Sequence, residues 1–261
     1  MNQDERRLYI KRKLEISKKV EIDELSKELD VSEMTIRRDF EYLEKKRVLN
    51  RVSKGAILNL IRDRDIVDDT LKTRSLQNIK EKKAIAQYAS NLIEDEDVIF
   101  LDASTTVYGI CEYIVNKTLT IITNSIRVAQ YFNTAQNITV ILTGGILRYA
   151  TLSLIGSDSE ESLKKYNTNK LFISAKALSY ENGLTDVNMF EINTKKVAME
   201  NTSNIIVLLD HTKINKTSLK KVCDIKNISK IIIDGFHEFS KEEEEVLELI
   251  KKENVQIIIT K

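Results

Sequence analysis

The chain has 261 residues, 42% apolar and 31% charged, with 41 Lys and Arg against 40 Asp and Glu and a formal net charge of +1. This excludes a disordered chain and leaves room for a small domain and a larger one with a sizeable core. MNQDERR at the start has no apolar signal segment, and no run approaches the ~18 to 20 apolar residues that span a bilayer, so membrane and export readings drop out and the expected compartment is the cytoplasm.

Leu8, Ile10 and Leu14 predict a first helix, and Asp23 is placed to cap a second that carries Leu25 and Leu29. After the short turn Asp30-Val31-Ser32, the Ser32 hydroxyl can accept from first-turn amides, which predicts a third helix from Glu33. Ile36, Phe40 and Leu43 fall on one face of it, turning Arg38 and Lys45 outward, with Thr35, Arg37, Glu41 and Tyr42 on the flanks. Val48–Val52 and Ala56–Leu60, joined at Ser53-Lys54-Gly55, predict a hairpin wing with Arg51 and Lys54 beside phosphates. Met34 to Lys54 holds seven basic and three acidic residues, about +4 in a chain that is nearly neutral. Helix, helix, tight turn, helix and basic wing is the order of a winged helix-turn-helix, whose last helix meets base edges in the major groove.

Arg62 to Thr70, RDRDIVDDT, reads as a hinge, giving a DNA-binding domain over 1–60, a linker over 61–74 and a second domain over 75–261. Beyond it come strand-like runs at Val98–Leu101, Leu119–Thr123, Ile138–Thr143, Leu171–Ser174, Ile205–Leu209, Ile231–Ile233 and Val255–Ile259. Helical patterning separates most of them, at Lys80–Ile93, Val107–Val115, Ser125–Phe132, Glu191–Glu200 and Lys241–Lys251, the last with Ser240 and Glu243 as a capping box. Alternation of this kind predicts an α/β fold with a mainly parallel sheet. Cys111 and Cys223 lie far apart, read as reduced, partly buried thiols, and no metal or cofactor is expected.

Ligands of open α/β sheets bind beyond the C-terminal strand ends. Here those ends carry Asp102 with Ser104, Thr105 and Thr106, then Asn124, then Gly144-Gly145 with Arg148, then Lys176, and finally Asp210-His211-Thr212-Lys213. Hydroxyls and free amides suit an anion, Arg148, Lys176 and Lys213 add positive charge, and Asp102, Asn124 and Asp210 can orient hydroxyls. Gly183, Asp186 and Glu191 can close one side, Gly183 serving equally well as a turn. His211 reads as a structural hydrogen-bonding group.

TIRRDFEYLE and the basic strand ending Gly55-Ala56 resemble the winged helix of the DeoR family of bacterial transcriptional regulators. IFLDASTT, TIITNS, VILTGGILR, LFISAKALS, ENGLTD and LLDHTK resemble that family's effector domain over most of residues 74–235. The resemblance implies DNA contacts from Ser32, Thr35, Arg37 and Arg38, one arginine forking onto a guanine edge. It implies a fold related to ribose-5-phosphate isomerase that binds a phosphorylated sugar without turnover, through Asp102, Ser104, Thr105, Thr106, Asn124, Gly144, Gly145, Arg148, Lys176 and Lys213. Four residues depart from the family pattern: Arg47 and Lys54 each stand at a usual glycine, Ser104 replaces glycine in the phosphate loop, and Lys176 replaces a small or amide residue. The implied function is a repressor of a sugar-metabolism operon that binds operator DNA as a homo-oligomer, dimer or tetramer. The alternative is a sugar-phosphate isomerase-like enzyme with a DNA-binding head, using Asp102 and Lys213 as acid and base.

Overall fold

The computed structural model describes residues 2–17, 19–45, 48–58 and 71–261, which form two compact units, one on either side of 59–70. Arg47, Asn59, Leu60, the hinge Arg62–Thr70 and the expected linker up to Thr70 lie outside the described residues. The last positions of that linker, Leu71 to Arg74, are helical.

The first unit runs α1 (Gln3–Ser17), β1 (Lys19–Glu21), α2 (Ile22–Glu28), α3 (Glu33–Lys45), β2 (Leu49–Val52) and β3 (Gly55–Leu58). Its core joins Ile10, Leu14, Leu25, Ile36, Phe40 and Leu49, one apolar stripe from each helix closed by the wing. Of the three residues that predicted α1, Ile10 and Leu14 form its buried stripe and Leu8 is 49% exposed. Asp23 sits inside the first turn of α2 rather than capping it; Glu21 is the N-cap residue and its side chain makes no capping bond. Asp30 takes the left-handed backbone (φ 51°) that reverses the chain before α3. β1 was not expected, three residues being too few to show alternation, yet it completes a sheet of order β1-β3-β2. A Cβ on Gly55 would lie 2.0 Å from the Val20 carbonyl oxygen, so this crossing of β1 and β3 requires glycine.

Asp39, on the inner side of α3 and fully buried, accepts from Nε of Arg6 at 2.6 Å and Nε of Arg7 at 2.9 Å. This pins α1 across α3 and draws two N-terminal arginines away from solvent.

The second unit begins with α4 (Leu71–Ser75) and α5 (Ile79–Ser90), then β4 (Val98–Leu101), α6 (Thr105–Tyr108), β5 (Leu119–Thr123), α7 (Ile126–Tyr131) and β6 (Ile138–Leu142). A hairpin follows, β7 (Ile146–Arg148) and β8 (Ser153–Ile155), then α8 (Ser157–Leu163), β9 (Lys170–Ile173), β10 (Ala177–Ser179), β11 (Gly183–Asp186), α9 (Met189–Glu200) and β12 (Ile205–Leu209). The chain closes with β13 (Lys220–Cys223), β14 (Lys230–Asp234), α10 (Lys241–Lys252) and β15 (Gln256–Thr260). Seven strands form one parallel sheet of order β15-β14-β12-β9-β4-β5-β6, matching the seven expected strands to within a residue at each end. Alternate strand residues face two cores. Phe100, Ile122 and Val207 pack toward α8, α9 and α10, while Ile99, Ile121 and Leu208 pack toward α5, α6 and α7. Both faces are therefore covered, as a parallel sheet requires.

The helix expected over Val107–Val115 is instead the single turn of α6 followed by a 3-10 turn, Gly109–Tyr113. Gly109 lies at the change of pitch, where a Cβ would come within 3.0 Å of the Ala86 side chain. The β7–β8 hairpin and the small sheet β10-β11-β13 were not expected: their strands are three or four residues long, and β10 and β11 are buried throughout, so neither shows period-two patterning. Cys111 and Cys223 are buried and unpaired, and burial pushes each thiol up to about 12.

Replacing Asp39 by Ala strands the buried Arg6 charge. The expected cost is about 3–5 kcal/mol to the first unit, read from urea unfolding of the full chain followed by far-UV circular dichroism. A loss below about 1 kcal/mol would show that α1 is held by packing alone.

Candidate functional site

In the first unit, the Ser32 hydroxyl caps α3, accepting from the Thr35 amide at 3.2 Å, and lies 2.9 Å from the Thr35 hydroxyl. Arg37 and Arg38 are exposed, Arg37 with only a loose contact to Glu33 at 3.8 Å. Together with Met34, Glu41, Glu44 and Arg51 they line a groove of about 670 Å³ between α3 and the wing. Lys54 is exposed at the wing's turn. Arg51 is engaged within the protein: Nε donates to Glu44 at 2.7 Å and Nη1 to Glu41 at 3.1 Å, joining wing to helix.

In the second unit the five strands whose ends carry the expected pocket residues, β12, β9, β4, β5 and β6, are consecutive in the sheet. The strand order reverses between β4 and β9, the position at which such sheets open a crevice. Asp102 follows β4 there and is almost fully buried; it accepts from the Ser104 amide at 2.8 Å and the Ser174 amide at 3.0 Å, so it ties the loops after β4 and β9 together. Ser104 has an extended backbone (φ −72°) and its hydroxyl caps α6 by accepting from the Val107 amide, so serine replaces the usual glycine without strain. Thr105 is half-buried at the start of α6 and Thr106 is buried. Asn124, buried at the end of β5, donates Nδ2 to the Leu154 carbonyl, while its Oδ1 has no donor.

The two glycines after β6 differ in kind. Gly145 needs its left-handed backbone (φ 114°), and a Cβ there would meet the Ile155 carbonyl at 2.6 Å. At Gly144 a Cβ would meet nothing within 4 Å, so that edge is open. Lys176 and Lys213 are half-buried after β9 and β12. Asp210 is buried and accepts from Asn78 Nδ2 at 3.0 Å and from the amide and hydroxyl of Thr212. His211 is a structural group: its ring Nδ1 lies 2.9 Å from Asp234, its amide donates to the same carboxylate, and its ring stacks on His237 at 4.6 Å.

Arg148 donates to Glu191 at 3.1 Å and to Thr151 at 2.9 Å, and Ser153 donates to the same Glu191 oxygen. Sequence reasoning missed Lys195, which α9 buries beside this group. Its Nζ lies 2.6 Å from Asp186 and 3.9 Å from Asp102. Burial pulls its ammonium down, but Asp186, Asp102 and Glu191 together hold it above the ordinary lysine value. Burial in turn pushes Asp102 up against the pull of Lys195 and its hydrogen bonds. The available signal was the spacing of Glu191 and Lys195, i and i+4, which places both on one face of α9. Gly183 opens β11 with a left-handed backbone (φ 68°), and a Cβ there would collide with the Cys223 carbonyl. Among the described residues no cluster of three His, Cys, Asp or Glu could hold a metal ion, and no helix is long and apolar enough to cross a membrane.

Residues 77–235 match the DeoR C terminal sensor domain, and residues 6–62 match the DeoR-like helix-turn-helix domain. Similar curated proteins include the HTH-type transcriptional regulator IolR of Bacillus subtilis, 36% identical over 57% of this chain and 59% of that one. YulB of the same organism, an uncharacterised HTH-type transcriptional regulator, is 36% identical over 62% of this chain and 63% of its own, so the match spans about three fifths of these relatives. The lactose phosphotransferase system repressor of Staphylococcus aureus is 32% identical over 69% of this chain and 70% of that protein. The ribose 5-phosphate isomerase A of Methanocaldococcus jannaschii is 18% identical over 52% of this chain and 55% of that one, with a TM-score of 0.40.

One lysine at this edge gives a pH test. Burial pulls Lys82 down to about 8 from the ordinary 10.5; Asp210 opposes the fall, while Lys213 and Arg74 add to it. Between those values the unfolded chain binds a proton that the folded chain does not, so stability rises with pH across that window. Lys82→Met is expected to raise the urea midpoint at pH 7 and to flatten its rise between about pH 8 and 10. An unchanged rise in the variant would assign it to another group.

Proposed function

The chain belongs to the DeoR family of transcriptional regulators, and from that we propose that it is a DNA-binding repressor of a sugar-metabolism operon, controlled by a phosphorylated sugar. The observation that supports the sensor half most is the adjacency, in one sheet, of the five strand ends bearing Asp102, Asn124, Gly144, Lys176 and Asp210. In this reading the effector lies along that edge. The loop Ser104-Thr105-Thr106, the open backbone at Gly144-Gly145, Lys176 and Lys213 face its phosphate, and Asn124 faces its hydroxyls. Arg148 orients the hairpin edge through Glu191, and Asp102 braces the two central loops.

In the DNA-binding half, Arg37 and Arg38 read base edges, with Ser32 and Thr35 at the helix start beside the backbone, while Lys54 meets a phosphate. Arg51 sets the aim of the wing through Glu41 and Glu44. Two half-sites call for a homo-oligomer, at least a dimer, and the protein works in the cytoplasm. The effector shifts operator affinity only by binding one arrangement of the DNA-binding heads better than another.

Turnover is not favoured. Both oxygens of Asp102, the acid/base candidate of the isomerase alternative, accept backbone hydrogen bonds, and the lysine beside it is the structural Lys195.

Arg38→Ala is expected to abolish binding to a duplex selected by the protein from a random library, with effector-induced thermal stabilisation unchanged. Lys54→Ala should weaken binding evenly across sequences and lower the salt slope by about 1. Normal affinity of Arg38→Ala in a gel-shift assay would contradict the interface.

A further inference from the structure

Arg74 lies on α4, between the two stretches that match the family's domains, 6–62 and 77–235. The Leu71 amide donates to the Ala150 carbonyl in the β7–β8 loop, and α4 packs on α6, so this short helix lies over the C-terminal edge of the sheet. Asn78, just beyond it, reaches Asp210 at the end of β12. Lys82 Nζ donates to the carbonyls of Arg74 and Gln77 at 2.5 and 2.7 Å. Positive charge thus gathers where α4, α5 and β12 meet, since Arg74 and Lys213 both lie close enough to act on Lys82. The neighbouring carboxylate, Asp210, is already taken by Asn78 and Thr212.

Within that group, Nε and Nη2 of Arg74 are buried and have no acceptor. A guanidinium so placed loses its hydration without return, a cost that a fold otherwise avoids. These two atoms form one side of the guanidinium, the fork that fits two oxygens of a phosphate or carboxylate. Arg127, whose Nη1 is also buried without a partner, differs in that its guanidinium lies 3.7 Å over the Tyr108 ring. At the end of β5, Asn124 Oδ1 is the complement: a buried acceptor without a donor. One edge therefore holds an unmet pair of donors and an unmet acceptor. A polyol carrying a phosphate monoester supplies both, oxygens for the first and a hydroxyl for the second.

Resting on the sugar-phosphate reading above, we propose that Arg74 contacts the effector, its Nε and Nη2 donating together to the phosphate while Asn124 Oδ1 accepts from a sugar hydroxyl. Arg74 is on the first helix after the stretch that joins the two units, so an effector that engages it acts directly on the end of that connection.

The test is a thermal-shift titration of the full chain with inorganic phosphate and with ribose 5-phosphate, fructose 6-phosphate and glucose 6-phosphate. The proteins compared are the wild type, Arg74→Gln, Arg74→Lys and, as a control, the exposed Lys72→Gln. At least one of these compounds should stabilise the wild type and Lys72→Gln alike, with Arg74→Gln binding it about 10- to 100-fold more weakly, the weight of one charge-assisted interaction. Without ligand, Arg74→Gln should melt no lower than the wild type, an outcome opposite to that of a structural arginine. Arg74→Lys keeps the charge but loses the fork, so it should bind about tenfold more weakly; it decides the matter if Arg74→Gln does not fold. Undiminished binding in the folded Arg74 variants overturns the role of Arg74 and leaves the pocket standing. If none of the compounds stabilises the wild type, the sugar-phosphate reading falls, and the role of Arg74 with it.

Discussion

A buried carboxylate at the reversal of strand order organises the larger unit. Asp102 receives the Ser104 and Ser174 amides and lies beside Lys195, so one side chain fixes the loops after β4 and β9 and turns α9 toward the sheet edge. The ionic chain runs on from Asp102 through Lys195 to Asp186, and a separate pair, Arg148 with Glu191, ties the β7–β8 hairpin to α9. Buried charges of this kind gain little stability over apolar packing, but each demands its partners, so they specify one arrangement of loops. The protein's own charges thereby hold the strand ends in one arrangement.

The smaller unit divides its charges the same way. Asp39 takes Arg6 and Arg7 into the interior, and Glu41 and Glu44 hold Arg51 at the base of the wing. The positive charge left toward solvent on helix and wing includes that of Arg37, Arg38 and Lys54. The basic balance of the stretch from Met34 to Lys54 therefore overstates the number of cations that face solvent. Solvent-facing and buried charges follow one another on a single helix, Arg37 and Arg38 outward and Asp39 inward, because 3.6 residues per turn separates adjacent side chains by about 100°.

The parallel sheet was legible because each central strand is a short, mostly apolar run bounded by polar residues, such as Ile205–Leu209 before Asp210. The capping box at Ser240 and Glu243 was equally plain and forms as read. The three-residue strands were hidden, since β7 and β8 are paired by their turn and neighbours rather than by an apolar pattern of their own. In the larger unit the residues named from motifs lie at the strand ends, whereas no motif set apart Lys195, Lys82 or Arg74. A lysine or arginine on a helix reads as solvated until the tertiary fold shows what covers it. Conversely, Arg51 and Arg148, read as phosphate contacts, have carboxylate partners that lie 7 to 43 residues away in sequence.

The proposed function requires coupling: a phosphorylated sugar bound at the strand ends would alter the grip of the winged helix on DNA. The most direct measurement is fluorescence anisotropy of a labelled duplex, selected by the protein itself, titrated with protein at fixed salt in the presence of each member of a sugar-phosphate panel. At least one sugar phosphate should move the midpoint by about 5- to 150-fold, the range of typical coupling energies, while its unphosphorylated sugar leaves it in place. A sugar phosphate that binds the protein yet leaves every DNA midpoint unchanged would contradict the account.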